Sequence, residues 1–391
     1  MAKGVKEVNP NNFGALLFDS KEINAVKKTL ENKMIFRYGL TNESAVDKFE
    51  SKIKQLFNVS YCVGVSSGTS GLIAALSACD VKQGDRVLVS SYTFLATALA
   101  VIKFGAIPVP MEIDAIKGID IEDLKNEVRK GCKAVIVVQL QGRTFYLDEL
   151  SKFLKKNNIP LIEDACQSFY CKNEKAYSGT IGDIGVFSFQ QFKQLSAGEG
   201  GCVITNNDVY ATAIRNYTDM GSERDGFPSW NGKTCVFGEN YRMTNISASI
   251  LLEQLKKLKS IIAKQKKARE YIEKKLITKN IKIIKSYYPQ GDSGMNLLLT
   301  LCNGSDFNKV VDYAKRRGVV IRRMWSGVYY DNELFKNHHL TSLDIKGVEC
   351  EKTIKITNTL LTVPIPPILS IEDCNKIINV LYGLKEKGWI A

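Results

Sequence analysis

The sequence predicts an α/β protein, with a large domain built on a mostly parallel seven-stranded sheet and a smaller C-terminal α+β domain. Three observations carry this. From about residue 45 to 205, short β-branched apolar runs alternate with amphipathic helical stretches, the pattern of strands covered by crossover helices. The residue types least suited to a packed core stand directly after those runs, where an open α/β sheet binds its ligands. Beyond Thr244 a long helical stretch opens and the chain becomes Lys-rich with fewer Gly. At 391 residues there is length for two or three domains, and the expected division is 1–255 and 256–391.

In chain order, the expected strands are Cys62–Val65, Arg86–Val89, Ile107–Met111, Ala134–Val138, Leu161–Glu163, Gly185–Ser188 and Gly201–Thr205. The loops behind them carry SSGTSG at 66–71, SSYTF at 90–94, EDACQ at 163–167 and SFQQFK at 188–193. A long helix is expected from Asn245 to about Lys275. Strands at Asn296–Leu301 and Val319–Arg322 then flank a helix over Asp306–Arg317. A last helix opens at Ser370, with Glu372 and Asp373 in its first turn.

Composition narrows the function. The net charge is +13, which raises nucleic acid or an anionic substrate as a partner. Residues 251–290 hold twelve basic side chains against three acidic ones, so most of the excess is local. That stretch has apolar residues at helical spacing (Leu251, Leu255, Leu258, Ile262) and a single aromatic, Tyr271, before Tyr287, so a solvated helix face is expected and not a nucleic-acid surface. Ten scattered cysteines without C-x-x-C spacing fit a reduced, cytoplasmic compartment and no metal site. The N-terminal segment lacks a signal-peptide core, and no apolar run is long enough for a bilayer. With only two histidines, His338 and His339, proton transfer is expected to fall to another residue type.

Three residue groups carry the chemistry. Ser66 to Gly71 joins a strand to an apolar helix, and the N–H groups of such a helix start form an anion site, unless the turn serves packing alone. Asp164 ends an apolar strand, where a carboxylate acts as base, binds a metal, pairs with a cation or caps the next helix. Lys193 precedes a glycine-rich turn; in a cleft its amine is a nucleophile, whereas on a surface it is only a charge. Taken together, the three fit one cofactor. Pyridoxal phosphate needs a phosphate cradle, an anion at its ring nitrogen and a lysine for its aldehyde. Phe94 is placed to cover the ring face.

Beyond these residues, the chain resembles the DegT/DnrJ/EryC1/StrS sugar aminotransferases, which have the type I fold of pyridoxal-phosphate transferases. The resemblance runs through FESKIKQLFNVSYCVGVSSGTSGL, GDRVLVSSYTFLATALAVIKFGAIPV, IEDACQSF, GDIGVFSFQQFKQLSAGEGG, NYRMTNISASILLEQL and PIPPILS. It implies that Lys193 holds the aldehyde, that Asp164 partners the ring nitrogen and that Gln167 touches the phenolic-oxygen side. It further implies that Phe94 stacks on the ring while Thr69, Ser70 and Ser188 hold the phosphate. Asn240 would reach the phosphate of a neighbouring subunit, making an obligatory homodimer with shared sites. The donor implied is glutamate or glutamine, and the acceptor is a ketone on a nucleotide-linked sugar, an acidic eight-carbon sugar or a cyclitol. Gln190-Gln191 stands where many relatives have His-Pro, as in relatives acting on keto-cyclitols and aminobenzoate precursors. The strings IFRYG, with Arg37 and Tyr38, and GDSG at 291–294 resemble the subgroup that aminates the acidic eight-carbon sugar. Arg37, Tyr38 and Arg322 are therefore candidate substrate contacts. The other readings are a regulator that keeps the cofactor without turnover, and a sugar dehydratase, in which histidine would replace Lys193.

Overall fold

The computed structural model describes residues 6–11, 13–38, 43–224, 230–325, 327–337 and 349–391. His338 and His339 lie outside the described residues. The elements run α1 (Ser20–Glu31), α2 (Ala45–Phe57), β1 (Tyr61–Val65), α3 (Gly68–Ala78), β2 (Arg86–Ser90), α4 (Leu95–Ile102) and β3 (Ile107–Met111). They continue α5 (Ile121–Arg129), β4 (Ala134–Val138), α6 (Asp148–Lys156), β5 (Leu161–Asp164), β6 (Ile184–Ser188), β7 (Gly201–Thr205) and α7 (Asp208–Thr218). After a short hairpin, β8 (Ser222–Arg224) with β9 (Trp230–Thr234), comes the 33-residue α8 (Asn245–Ile277). The remainder comprises β10 (Asn296–Thr300), α9 (Phe307–Lys315), α10 (Glu333–Asn337), α11 (Glu351–Thr359), β11 (Leu360–Pro364) and α12 (Ile371–Glu386).

All seven expected strands form one sheet in the order β1-β7-β6-β5-β4-β2-β3. β7 alone runs antiparallel, wedged between β1 and β6, and the other neighbouring pairs are parallel. Because side chains alternate across a strand, the sheet has two packed faces. Val63, Val87, Ile136, Ile162 and Val203 pack beneath α3, α4 and α7. Leu88, Met111, Val137 and Leu161 face α5 and α6, and Phe187, Cys202 and Ile204 continue that face toward α2 and α8. α3 is apolar nearly all round and buried from Leu72 to Leu76, as suits a helix sandwiched between a sheet and its neighbours.

Helix α8 joins two cores. Leu251, Leu258 and Ile261 belong with the sheet layer, whereas Ile272 and Leu276 pack with Leu297, Leu361, Ile377 and Leu381 of the C-terminal layer. Its basic side chains are partly engaged within the fold: Lys257 pairs with Glu22 and Asp19, and Arg269 with Asp292. No helix among the described residues is long and apolar enough to cross a membrane.

One expected strand is replaced by another. β10 pairs antiparallel with β11, not with 319–322, which contributes a single bridge from Arg322 to Thr362. The cause is Asn9. Its buried side chain accepts from the Val320 N–H at 2.8 Å and donates to the Val320 and Pro364 carbonyls at 3.1 and 3.0 Å. These are the groups a continuing ladder would use, so an amide from the N-terminal segment stands in for a third strand. Asn9→Ala would leave three backbone groups without partners, the buried Pro364 carbonyl and the half-buried Val320 N–H and carbonyl. At about 1–3 kcal/mol for each orphaned group, reduced by whatever water enters, a loss of roughly 2–4 kcal/mol is expected in urea unfolding, with residues 6–11 released to proteolysis. An unchanged midpoint would refute this role.

Candidate active site

At the C-terminal edge of the sheet lies a cavity of about 540 Å³. The close approach of three chain segments makes it. Val65 of β1 and Ser188 of β6 are both in register with Gly201 at the start of β7. A Cβ on Gly201 would stand 2.6 Å from the Ser67 carbonyl and 2.8 Å from that of Phe187, so only glycine lets the strands close here. Gly68 is equally constrained: a Cβ would lie 2.8 Å from Cys166 Sγ and 2.9 Å from Ser188 Cβ. The first turn of α3 thus sits against the ends of β5 and β6.

Ser67 caps α3 by accepting from the Ser70 N–H at 3.1 Å, and Ser70 Oγ accepts from the Ser67 N–H at 2.9 Å. The Ser70 hydroxyl also donates to the Ser67 carbonyl at 2.8 Å and is 3% exposed. Ser70, expected as a phosphate ligand, has its side chain in the cap and not among the cavity-lining residues. Ser67, Gly68, Thr69 and Ser188 remain to form the cavity wall there, with the helix start behind them.

β5 carries two successive carboxylates, and the pleat sends them to opposite sides. Glu163 is fully buried and accepts from Gln139 Nε2 (2.7 Å) and the N–H groups of Gly179 (2.9 Å), Ile181 (2.6 Å) and Gly182 (2.6 Å). Burial pushes its pKa up, and those donors pull the other way. Asp164 faces the cavity. Its Oδ2 accepts from Thr97 Oγ1 at 2.8 Å and its Oδ1 from the Cys166 N–H at 3.2 Å. Thr97 in turn shares a 2.8 Å hydrogen bond with Thr93. The neighbouring Cys166 thiol is held well above its ordinary pKa by burial and by the Asp164 charge.

Lys193 follows a turn fixed by its N–H to the Gln190 carbonyl (2.8 Å) and by the Phe192 N–H to Gln190 Oε1 (2.9 Å). Its own carbonyl accepts from the Gly14 N–H at 3.0 Å. Its side chain lines the cavity, and no carboxylate among the described residues pairs with the ammonium. Gln167 lies in the same wall and accepts weakly from the Gln141 N–H at 3.3 Å. Phe94 lines the cavity with 57% of its surface exposed and makes no ring contact among the described residues. From the C-terminal layer come Asn296, Arg322 and Trp325.

The structure therefore brings Lys193, Asp164, Gln167, Phe94, Thr69, Ser188 and Arg322 together, and leaves three other candidates elsewhere. Arg37 is 3% exposed and pairs with Glu50 at 2.8 Å and Asp47 at 3.4 Å. Its guanidinium is an internal cation and not part of this wall. Tyr38 donates to Asp219 at 2.7 Å, and burial with that carboxylate raises its pKa to about 12. Asn240 is exposed on its own chain, bridged to Asp219. Sequence reasoning missed Thr97 and Asn296. Thr97 stands three residues past Phe94, in the first turn of α4, and that spacing is the one signal available for it.

The arrangement fits pyridoxal phosphate on its own chemistry. There are backbone donors and hydroxyls for a phosphate, an amine without an anion, a carboxylate oriented by two donors, and a free aromatic face.

The family profile for the DegT/DnrJ/EryC1/StrS aminotransferase family matches residues 17–382. The chain belongs to this family, whose members are pyridoxal-phosphate-dependent enzymes. It is 31% identical to GDP-perosamine synthase of Escherichia coli O157:H7 over 66% of this chain and 68% of that one. It is 33% identical to L-glutamine:2-deoxy-scyllo-inosose aminotransferase of Streptomyces kanamyceticus over 55% and 52%, respectively. The matched stretches thus span about half to two thirds of these relatives. The structure of an aminotransferase from Psychrobacter cryohalolentis superposes with a TM-score of 0.84 at 23% identity, covering 95% of this chain and 98% of that one.

Gly68→Ala tests the cradle. Ser188 is anchored in the sheet and gives way little, so the added methyl should push α3 from β6 and weaken cofactor binding at least about tenfold in a fluorescence titration. Wild-type affinity in this variant would show that the close approach is not needed for binding.

Proposed function

We propose that this chain transfers an amino group from glutamate or glutamine to a ketone on a sugar or cyclitol, using pyridoxal phosphate. One observation carries the reading: the unpaired amine of Lys193 and the doubly anchored carboxylate of Asp164 face the same cavity beside a helix N-terminus. When bound, pyridoxal phosphate supplies an electron sink for the pair released as the donor's α C–H bond breaks. The chain's own residues do the rest. Ser67, Thr69 and Ser188, with the first N–H groups of α3, would hold the phosphate. Phe94 would cover one ring face and exclude water from it. Asp164 would keep a proton on the ring nitrogen, and Thr97 would hold that carboxylate in line.

The Lys193 amine would hold the cofactor's aldehyde. Displaced by the donor's amine, its Nζ would take the proton from the donor's α-carbon and deliver it to the cofactor's exocyclic carbon. The acceptor ketone would then gain the nitrogen, its oxygen leaving as water and Nζ returning the proton to the acceptor carbon. The histidine shortage is no obstacle, because a single amine shuttles the proton both ways.

The acceptor classes that fit the family are a nucleotide-linked sugar, an acidic eight-carbon keto-sugar and a keto-cyclitol. Support comes from relatives named for GDP-perosamine and for 2-deoxy-scyllo-inosose, and from the Gln190-Gln191 pair. Ten free cysteines fit a reducing cytoplasm. We also assign Asn240 to the partner's site in a homodimer, since it stands exposed and away from the cavity of its own chain.

One experiment tests both parts. Borohydride should fix the cofactor to wild-type protein at Lys193, and Lys193→Ala should lose both the adduct and amino transfer. Exchanged with inactive Asn240→Ala, it should regain up to about a quarter of wild-type activity, because one site in each mixed dimer carries neither lesion. An adduct on another lysine would overturn the first part, and verified mixed dimers without activity the second.

A further inference from the structure

Lys193 stands in the middle of a loop whose base is closed. The N–H groups of Phe189, Ala197 and Gln191 donate to the carbonyls of Gly200 (2.8 Å), Phe189 (2.9 Å) and Gly198 (3.0 Å), respectively. Leu195 holds the loop down by packing into the sheet core, but apolar contact is non-directional. Direction must come from hydrogen bonds that reach other segments, and two do so at the middle of the loop among the described residues. One is the Gly14 N–H on the Lys193 carbonyl at 3.0 Å. The other comes from the side chain of the next residue, Gln194.

Gln194 is 3% exposed and Gln265 of α8 is fully buried. Gln265 Nε2 donates to the Ile365 carbonyl at 3.1 Å, and its Oε1 accepts from Gln194 Nε2 at 2.9 Å. The direction is forced, because a carbonyl only accepts and each amide has one donating and one accepting end. The Ile365 N–H in turn donates to the Met295 carbonyl at 2.8 Å. Gly294 presses on the same turn of α8, where a Cβ would stand 2.7 Å from the Lys266 nitrogen. Gln265 is thus the point where the lysine loop, the 294–295 segment and the end of β11 meet.

This chain of amides is a poor source of stability. Gln194 Oε1 is buried without a partner, and methionine would fill either position with no amide to desolvate. What the amides supply is direction. Neither side chain lines the cavity, so neither touches a reacting atom. Resting on the transaminase reading above, we infer that Gln194 and Gln265 are positioning residues that aim the Lys193 amine by fixing the middle of its loop to α8 and the C-terminal layer. The amine has to meet both the cofactor's aldehyde carbon and the donor's α C–H bond, and a misplacement of about 1 Å costs up to about a hundredfold in rate.

The test uses the cofactor-loaded protein with Gln194→Met, Gln265→Met and both together. Gln254→Met is the control, because Gln254 is equally buried in the same helix but donates to Glu22 of α1 at 2.7 Å and not to the lysine loop. Two quantities are read. The first is the pH midpoint of the visible band of cofactor joined to Lys193, which requires no turnover. The second is the single-turnover rate with L-glutamate and L-glutamine deuterated at the α-carbon. Each single variant should move the midpoint by about half a unit, a roughly threefold change in the protonation equilibrium, and slow the turnover about 10- to 100-fold. The double variant should be no worse than the poorer single one, since the two amides act as a unit. Gln254→Met should lower the unfolding temperature and change neither quantity. Gln194→Met leaves the bond from Gln265 to Ile365 in place, so it reports on the loop even where Gln265→Met does not fold.

If Gln194→Met keeps the wild-type midpoint and rate, if Gln254→Met reproduces its changes, or if the double variant shows the product of both losses, the amides only join the layers and the inference falls. A wild-type protein whose visible band responds to these variants but that transfers no amino group would instead defeat the function proposed above.

Discussion

Two carboxylates in succession at the end of β5 set the geometry on which the site depends. The pleat of a strand turns one to each face. Glu163 ties the 179–182 turn to the sheet through three backbone N–H groups, and β6 starts two residues later at Ile184. The neighbouring strand end is thereby fixed, and with it Ser188 and the turn that ends in Lys193. Asp164 projects from the opposite side of the same rigid backbone, beside Thr97. A charged group on a strand end is better placed for a defined contact than one on a free loop.

Glycine does the complementary work at this edge. Gly201 and Gly68 let β1, β6 and the start of α3 approach within ordinary contact distance, which concentrates a helix terminus, a serine and a lysine around one cavity. The polarity of the site follows from what the fold has left unpaired. Most buried cations and anions are matched: Arg37 with Glu50, Arg269 with Asp292, Lys257 with Glu22. At the cavity, no carboxylate among the described residues pairs with the half-buried ammonium of Lys193 or with the guanidinium of Arg322, and the buried Asn296 amide has no hydrogen-bond partner.

Much of this was legible in the sequence because parallel strands buried on both faces read as unbroken β-branched runs. All seven were placed to within a residue or two, as were the loops behind them. What failed did so for local reasons. Leu360–Pro364 ends in a proline-rich string that reads as loop, and Val319–Arg322 reads as a strand but cedes its hydrogen bonds to Asn9, 311 residues away from Val320. No periodicity encodes a side chain that distant. For Ser70 and Arg37 the sequence shows residue type and not partners: a capping box engages the one and Glu50 the other. Thr97 and Asn296 were missed because neither a threonine in an apolar helix nor an asparagine at a strand start has a distinctive pattern.

The central claim is that Asp164 serves the cofactor electronically and does not merely cap the segment that follows β5. The direct measurement is the rate of the donor half-reaction in Asp164→Asn with cofactor bound, set against the wild type. Asparagine keeps the shape and can accept from one of Thr97 and the Cys166 N–H but lacks the charge, so the variant should load cofactor on Lys193 and react at least about a hundredfold to a thousandfold more slowly, equivalent to roughly 2.7–4 kcal/mol. A loaded variant reacting at nearly the wild-type rate would contradict the account.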